Sequence, residues 1–142
     1  MTKKERTVIK NADLVISMDD TRRILSCCDI VISQGEIQKV EKNTHLTGVD
    51  EIIDASGCVV TPGLINTHHH LFQSLTKAVP GGQNALLFGW LKTLYPIWSR
   101  FGPEEIRIST ILGLSELALS GCTMSSDHLY LFPNGATLVD TI

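Results

Sequence analysis

The stretch Pro62–Ser74, PGLINTHHHLFQS, decides how this chain is read. An apolar run ends in three consecutive histidines, His68, His69 and His70, in a chain of 142 residues that holds only five. GLINTH reads as a short continuous apolar strand, of the kind buried on both faces in a parallel sheet. Side chains alternate faces along a strand, so His68 and His70 point one way and His69 the other. Two imidazoles so spaced can share one metal ion, and neutral imidazole nitrogen suits zinc or iron. The C-terminal end of such a strand is also where parallel α/β folds place their active sites. An H-x-H pair also occurs on surfaces and in cores with no metal, and the residues alone leave both readings open. His69 reads as a residue facing outward and packing under a helix.

Upstream of Pro62 the chain reads as strands and turns. TVIKNADLVISM (7–18) is β-rich, DIVISQGEIQKVE (29–41) carries Gly35 between two alternating runs as a hairpin does, and DEIIDASGCVV (50–60) forms strands about Ser56-Gly57. Downstream the pattern changes. LFQSLTKAV reads as a short helix stopped by Pro80-Gly81-Gly82, and a second helix as running from Asn84 to Tyr95 with Pro96 as its kink or break. Gly102 and Pro103 open a third helix, Glu104 and Glu105 fill its first turn, and Gly121 follows its end. Ile108, Ile111, Leu114 and Ala118 recur on one side of that helix and are expected to face the core. CTMSSDH reads as another buried strand, LYLFPNG as a loop, and ATLVDTI as the beginning of a helix. Strand, helices and strand make a βα unit of a parallel sheet. One unit and a half cannot close a barrel, so the chain reads either as a small open α/β domain or, as the helix left unfinished at Ile142 favours, as the front of something longer.

Composition narrows the partners. Apolar residues at 43% and charged residues at 19% place the chain among globular proteins, and a net charge of −3 without a basic stripe argues against nucleic acid. No apolar run approaches a membrane span, and MTKKERTVIK at the N-terminus has no apolar core behind it. A cytoplasmic protein with no membrane partner is the expectation. Cys27, Cys28, Cys58 and Cys122 form no C-x-x-C pair and read as free buried thiols rather than a structural zinc knuckle.

VVTPGLINTHHHLFQSL (59–75), LFGWLKTLYPIW (87–98) and LSELALSGCTMSSDHLYLFPNG (114–135) resemble the amidohydrolase superfamily, in its nucleobase deaminase branch. They are most like the 8-oxoguanine deaminases and the hydroxyatrazine-type ethylaminohydrolases. The resemblance implies an α/β chain. Residues 1–61 would be a small N-terminal β-sandwich module. Residues 62–142 would be the first βα units of a metal-dependent (β/α)8 TIM-type barrel, incomplete here. It implies that His68 and His70 bind one divalent metal ion, zinc or alternatively iron. Metal-activated water would then deaminate a purine-like ring such as 8-oxoguanine, with release of ammonia.

Gln73 would hydrogen-bond the ring, an amide offering both donor and acceptor. His128, which follows Asp127 at the end of the second strand, would also reach the substrate, although a capping role for the Asp127–His128 pair reads equally well. Trp90, Tyr95 and Trp98 read first as core and only second as a wall for a flat ligand. The family's H-x-x-E glutamate, further histidines and late metal-binding aspartate have no counterpart here, since His128 is the only histidine after His70. The chain is therefore expected to carry no catalytic acid or base, and to be an inactive N-terminal piece of an enzyme whose full-length form is a homo-oligomer. Hydrolysis of another cyclic amidine (a triazine, a pterin or guanine) and a non-catalytic α/β interaction module remain the competing expectations.

Overall fold

A computed structural model describes residues 6–45 and 47–141, so Met1–Glu5 of the basic N-terminal stretch and the terminal Ile142 lie outside the described residues. The chain divides into two compact units, Met1–Pro62 and Gly63–Ile142.

The first unit is built on one five-stranded sheet. Strand β1 (Arg6–Ile16) is its spine. On one side it pairs antiparallel with β2 (Ile24–Ser33), which pairs antiparallel with β3 (Glu36–Glu41). On the other side, β4 (Glu51–Asp54) and β5 (Val59–Val60) both run parallel to β1. The predicted hairpin forms where Gly35 stands. Gln34 and Gly35 both have positive φ (54° and 84°), as a two-residue turn matching the twist of its strands requires. The β1–β2 register jumps between Ile9 and Ala12, with Asn11 at φ 62° and Cys27 at φ 54°. Such a bulge bends the strand, and β1 pairs with β4 before it (residues 7–10) and with β5 after it (Leu14, Val15).

Ala12, Val15, Cys28, Ile30 and Ala55 form the buried cluster of this unit. Cys28 is its one buried thiol. Cys27 and Cys58 are exposed and Cys122 of the second unit is half-buried, which corrects the expectation of four buried cysteines. Cys27 turns outward at the bulge, where its neighbour turns in.

Asp29 is buried beside this cluster, and its carboxylate accepts the backbone N–H of Asn11 (2.9 Å) and of Thr44 (2.8 Å), with Lys10 Nζ at 3.3 Å. Burial alone would push its carboxyl up, but these donors outweigh it and hold the group below its ordinary 3.8. A carboxyl depressed by folding stabilises the fold above its unfolded pKa, and that contribution drains away as pH falls through the folded value. The stability advantage of wild type over Asp29→Asn is therefore expected to be full at pH 7 and to shrink below 3.8. Urea unfolding followed at pH 7, 5 and 3 measures it, and a difference that does not change with pH would refute this account.

In the second unit β6 (Leu64–Asn66) and β7 (Cys122–Ser125) run parallel, joined by helices α1 (Leu87–Trp98) and α2 (Pro103–Leu119). LFQSLTKAV forms a 3-10 turn over Leu71–Thr76 rather than an α-helix, followed by another at Pro80–Gly82. Helix α1 starts and ends about a turn later than the sequence suggests. Pro96 lies inside its last turn and does not break it, since the Ser99 N–H still donates to the Tyr95 carbonyl (2.8 Å). After β7, short 3-10 turns span Pro133–Gly135 and Leu138–Thr141, so the described part of ATLVDTI is a single turn rather than an opening helix. Phe72, Leu94, Trp98, Phe101, Ile106 and Ala136 make the core of this unit, and Trp90 is packed against it. Trp98 is thus core, as ranked, while Tyr95 is exposed.

Two burial expectations are corrected. The apolar stripe of α2 does not face inward: Ile108, Ile111, Leu114 and Ala118 are all exposed, while Ile106, Ser109, Thr110 and Gly113 are buried. The helix turns its small residues to the Leu71–Thr76 turn because they allow close approach. Ser109 Oγ donates to the Leu71 carbonyl (2.8 Å) and accepts the Leu75 N–H (3.2 Å), and a Cβ on Gly113 would lie 2.7 Å from Leu71 and Ser74 side-chain atoms. Leu64 and Ile65, expected to be buried on both faces, are 58% and 63% exposed, as is Met124 at 64%. A two-stranded sheet offers too few neighbours to cover both faces of its strands.

Candidate metal centre

The ends of β6 and β7 are laced together beyond the strands themselves. The Ser126 N–H donates to the Asn66 carbonyl (2.9 Å), the His128 N–H to the His69 carbonyl (2.8 Å), and the Leu71 N–H to Asp127 Oδ1 (2.9 Å). Asn66 also turns its side-chain oxygen to the His68 N–H (3.0 Å). Asp127 therefore acts as a strap between the two strand ends, which is close to the capping alternative read from the sequence.

This lacing sets three imidazoles together. Strand β6 stops at Asn66, short of the GLINTH strand the sequence suggests, so the histidines lie past its end rather than on it; His68 Nε2 and His70 Nε2 nonetheless meet at 3.1 Å. His128 joins them from the other strand end, its ring centroid 4.4 Å from that of His68 and 5.6 Å from that of His70. One nitrogen from each of the three lies within 4.8 Å of the others. His68 and His128 are exposed and His70 is half-buried.

The tautomer of His70 follows from its partner. Nδ1 stands 2.8 Å from the His128 carbonyl oxygen, which can only accept, so Nδ1 carries the proton and Nε2 the free lone pair. Two nitrogens each bound to a tetrahedral zinc ion at about 2.0–2.1 Å sit roughly 3.3 Å apart. The His68–His70 spacing fits such an ion, and the lone pair of His70 is already aimed at it.

His69 is turned away from this cluster and half-buried, with Nδ1 buried and unpartnered. Burial first, and then nearby Lys77, push its imidazole below the ordinary value. A neutral, inward-held ring agrees with its reading as a packing residue.

Gln73 sits one turn past His70, its N–H donating to the His70 carbonyl (3.0 Å). Its side-chain nitrogen donates to the Tyr130 hydroxyl (3.0 Å). The Tyr130 ring stands edge-on to His70 and to the fully buried Phe72, at 5.2 Å from each. Burial raises its phenol above the ordinary value. Tyr130 was not singled out from the sequence. The available signal was its spacing of two from His128, which repeats the spacing of His68 and His70. Trp90 and Trp98 pack on one another (5.2 Å) in the core, and neither forms part of the histidine cluster.

No protein-family profile matches the chain. It is 57% identical over 82 residues to an 8-oxoguanine deaminase of Pseudomonas aeruginosa, a match covering 58% of this chain and 18% of that protein. It is 38% identical over 135 residues to an isoxanthopterin deaminase from an unknown prokaryotic organism, covering 91% of this chain and 28% of that one. In three dimensions it matches an atrazine chlorohydrolase from Arthrobacter aurescens, solved with zinc, at 31% identity and a TM-score of 0.86, over 95% of this chain and 32% of that one. The fold is thus of the mixed α/β class. The chain belongs to the amidohydrolase superfamily, in the branch that includes these deaminases. It spans less than a third of the length of each of these relatives.

Proposed function

We propose that this chain supplies the first metal ligands and part of the ring-binding wall of a metal-dependent hydrolase that deaminates a purine-like ring. The observation that carries this reading is the meeting of His68 Nε2 and His70 Nε2 at the C-terminal end of two parallel strands, with His128 beside them. In this reading residues 1–61 are the composite β-module, a sandwich when complete. Residues 62–142 open a (β/α)8 barrel, and the exposed Leu64, Ile65 and Met124 are covered by its remaining elements. A divalent ion bound at this site, most simply zinc, supplies a nucleophile at neutral pH by acidifying water.

The chain's own residues then have separate tasks. His68 and His70 present neutral nitrogens, and the Nδ1–H bond of His70 to the His128 carbonyl fixes the direction of its lone pair. Gln73 holds the ring against the site. Proton transfer to the ring and to the departing amine needs an acid–base group, which a complete barrel would supply, and this chain by itself is expected not to turn over.

The relative at 57% identity favours 8-oxoguanine as the ring. The expected result is ammonia release from 8-oxoguanine by the protein that carries this chain within a complete barrel, abolished by chelation and restored by zinc. Release from a pterin or a hydroxytriazine instead would keep the chemistry and change the ring. No release from any of the three, or release indifferent to chelation, would refute the reading.

A further inference from the structure

The family resemblance gives His68 and His70 to the metal and turns His128 toward the substrate, yet all three imidazoles gather round one point. One ring nitrogen from each lies within 4.8 Å of the other two. The backbone of His128 is fixed on the pair's own segment. Its N–H donates to the His69 carbonyl (2.8 Å), and its carbonyl accepts the Nδ1–H of His70 (2.8 Å). Its side chain therefore starts from a fixed place beside the pair.

Packing does not account for where that side chain lies. His128 is exposed, so no core holds it there. Its ring is tilted by 50° to His68 and by 54° to His70, at centroid distances of 4.4 and 5.6 Å. That is neither the stacked nor the edge-on arrangement that aromatic rings prefer, whereas His68 and His70 do stand edge-on to each other, at 81°. No hydrogen bond to another described residue engages the ring nitrogens of His128. What the three rings share is a nitrogen donor apiece. Three histidines with one position left open is a donor set that catalytic zinc sites use. Nitrogens bound to one tetrahedral zinc ion sit roughly 3.3 Å apart, and His68 and His70 already stand at 3.1 Å. His128 has at most about 1.5 Å to close, the difference between 4.8 Å and roughly 3.3 Å. An exposed side chain covers that by rotating about its own bonds.

We propose that His128 is a third ligand of the metal ion, closing on it once His68 and His70 have bound it. Its carbonyl orients His70 while its imidazole completes the set, so one residue at the end of β7 serves the ion twice. His128 is then withdrawn from the substrate, and this chain holds three donors rather than two. Because it closes last, His128 does not hold the ion without the pair. The assignment rests on the metal site proposed above, but not on the identity of the ring or on deamination.

Zinc affinity and cobalt absorption test it, on the protein carrying this chain in a complete barrel. His128→Ala removes the imidazole and keeps the backbone carbonyl that orients His70, so any loss of affinity is not a loss of that bond. It should weaken zinc binding by at least about tenfold in competition against a chromophoric chelator, the lower end of what losing even an outer partner of a ligand costs. His128→Gln, which keeps a polar side chain without an imidazole, should lose as much. In the cobalt-substituted protein the visible d–d bands of wild type should change in both variants, because the ion's own coordination changes. A His128 that only supports the fold or meets the substrate would leave those bands alone. Adding His128→Ala to His70→Ala should cost nothing further, since His128 closes only on an ion the pair already holds. Unchanged zinc affinity, a loss of affinity with unchanged cobalt bands, or a further loss in the double variant would overturn the proposal. Ammonia release that persists with unchanged zinc affinity would remove the third ligand and leave the deaminase standing. Zinc held through His128 with no ammonia release from any ring would uphold the ligand while the deaminase reading fell.

Discussion

His70→Ala is expected to lower zinc affinity by well over ~100-fold, since losing only an outer partner of a metal ligand already costs about 10–100-fold. The substitution removes Nε2, whose lone pair faces His68 at 3.1 Å, and also the Nδ1–H bond to the His128 carbonyl that lies across the two strand ends. His69→Ala is the internal comparison. It removes an imidazole one residue away that is not part of the cluster, and it should leave zinc affinity within about twofold of wild type. Competition against a chromophoric chelator measures both. Equal losses in the two variants would mean that the cluster is not the site and that histidine content alone drives binding. A wild-type affinity in His70→Ala would be equally damaging.

Trp98→Ala should destabilise the second unit by about 3–5 kcal/mol. Trp98 is fully buried, packs edge-on against Phe72, Trp90 and Tyr95, and donates its indole N–H to Thr76 Oγ1 (3.0 Å). Truncation leaves a large cavity in the unit's one core cluster among the described residues. Trp98→Phe keeps most of the packing and loses the indole bond, at an expected cost nearer ~1 kcal/mol for that bond. Denaturant unfolding followed by far-UV circular dichroism separates the two. The consequence reaches the site, because Phe72 supports Tyr130 and Tyr130 abuts His70. Trp98→Ala should therefore weaken zinc binding at temperatures where the unit is still folded, whereas Trp98→Phe should not.

The sequence made local geometry legible and left cross-chain geometry dark. The H-x-H spacing points to His68 and His70 on one side, and they do meet, but β6 stops at Asn66 and it is the bonds to Asn66 and to the end of β7 that hold them there. Gly102, Pro103 and the paired glutamates marked the start of α2 for the same kind of local reason, and Glu105 does reach back to the Gly102 N–H (2.8 Å). Apolar spacing points to the wrong face of α2, whose buried residues are Ile106, Ser109, Thr110 and Gly113. The contact that decides it is made by Ser109 and Gly113, which are buried for their size and for one hydroxyl's bonds to another segment.

Beyond the spacing of Tyr130 from His128, no local pattern shows the pairing of Tyr130 with Gln73 or the strap through Asp127. Their partners Gln73 and Leu71 stand 57 and 56 residues away in the chain, and only the parallel pairing of β6 with β7 brings them together. The exposure of Leu64 and Ile65 has a similar origin. Their apolar character is written in the sequence, but burial depends on which neighbours cover them.

The most direct test of the central claim is X-ray absorption at the zinc edge, on the purified protein loaded with one equivalent of zinc. The account predicts a first shell with at least two imidazole nitrogens at about 2.0–2.1 Å, together with the outer-ring scattering that marks histidine, and loss of that imidazole signal in His68→Ala and His70→Ala. A shell made only of oxygens or containing sulfur, or an imidazole signal that survives both substitutions, would contradict it.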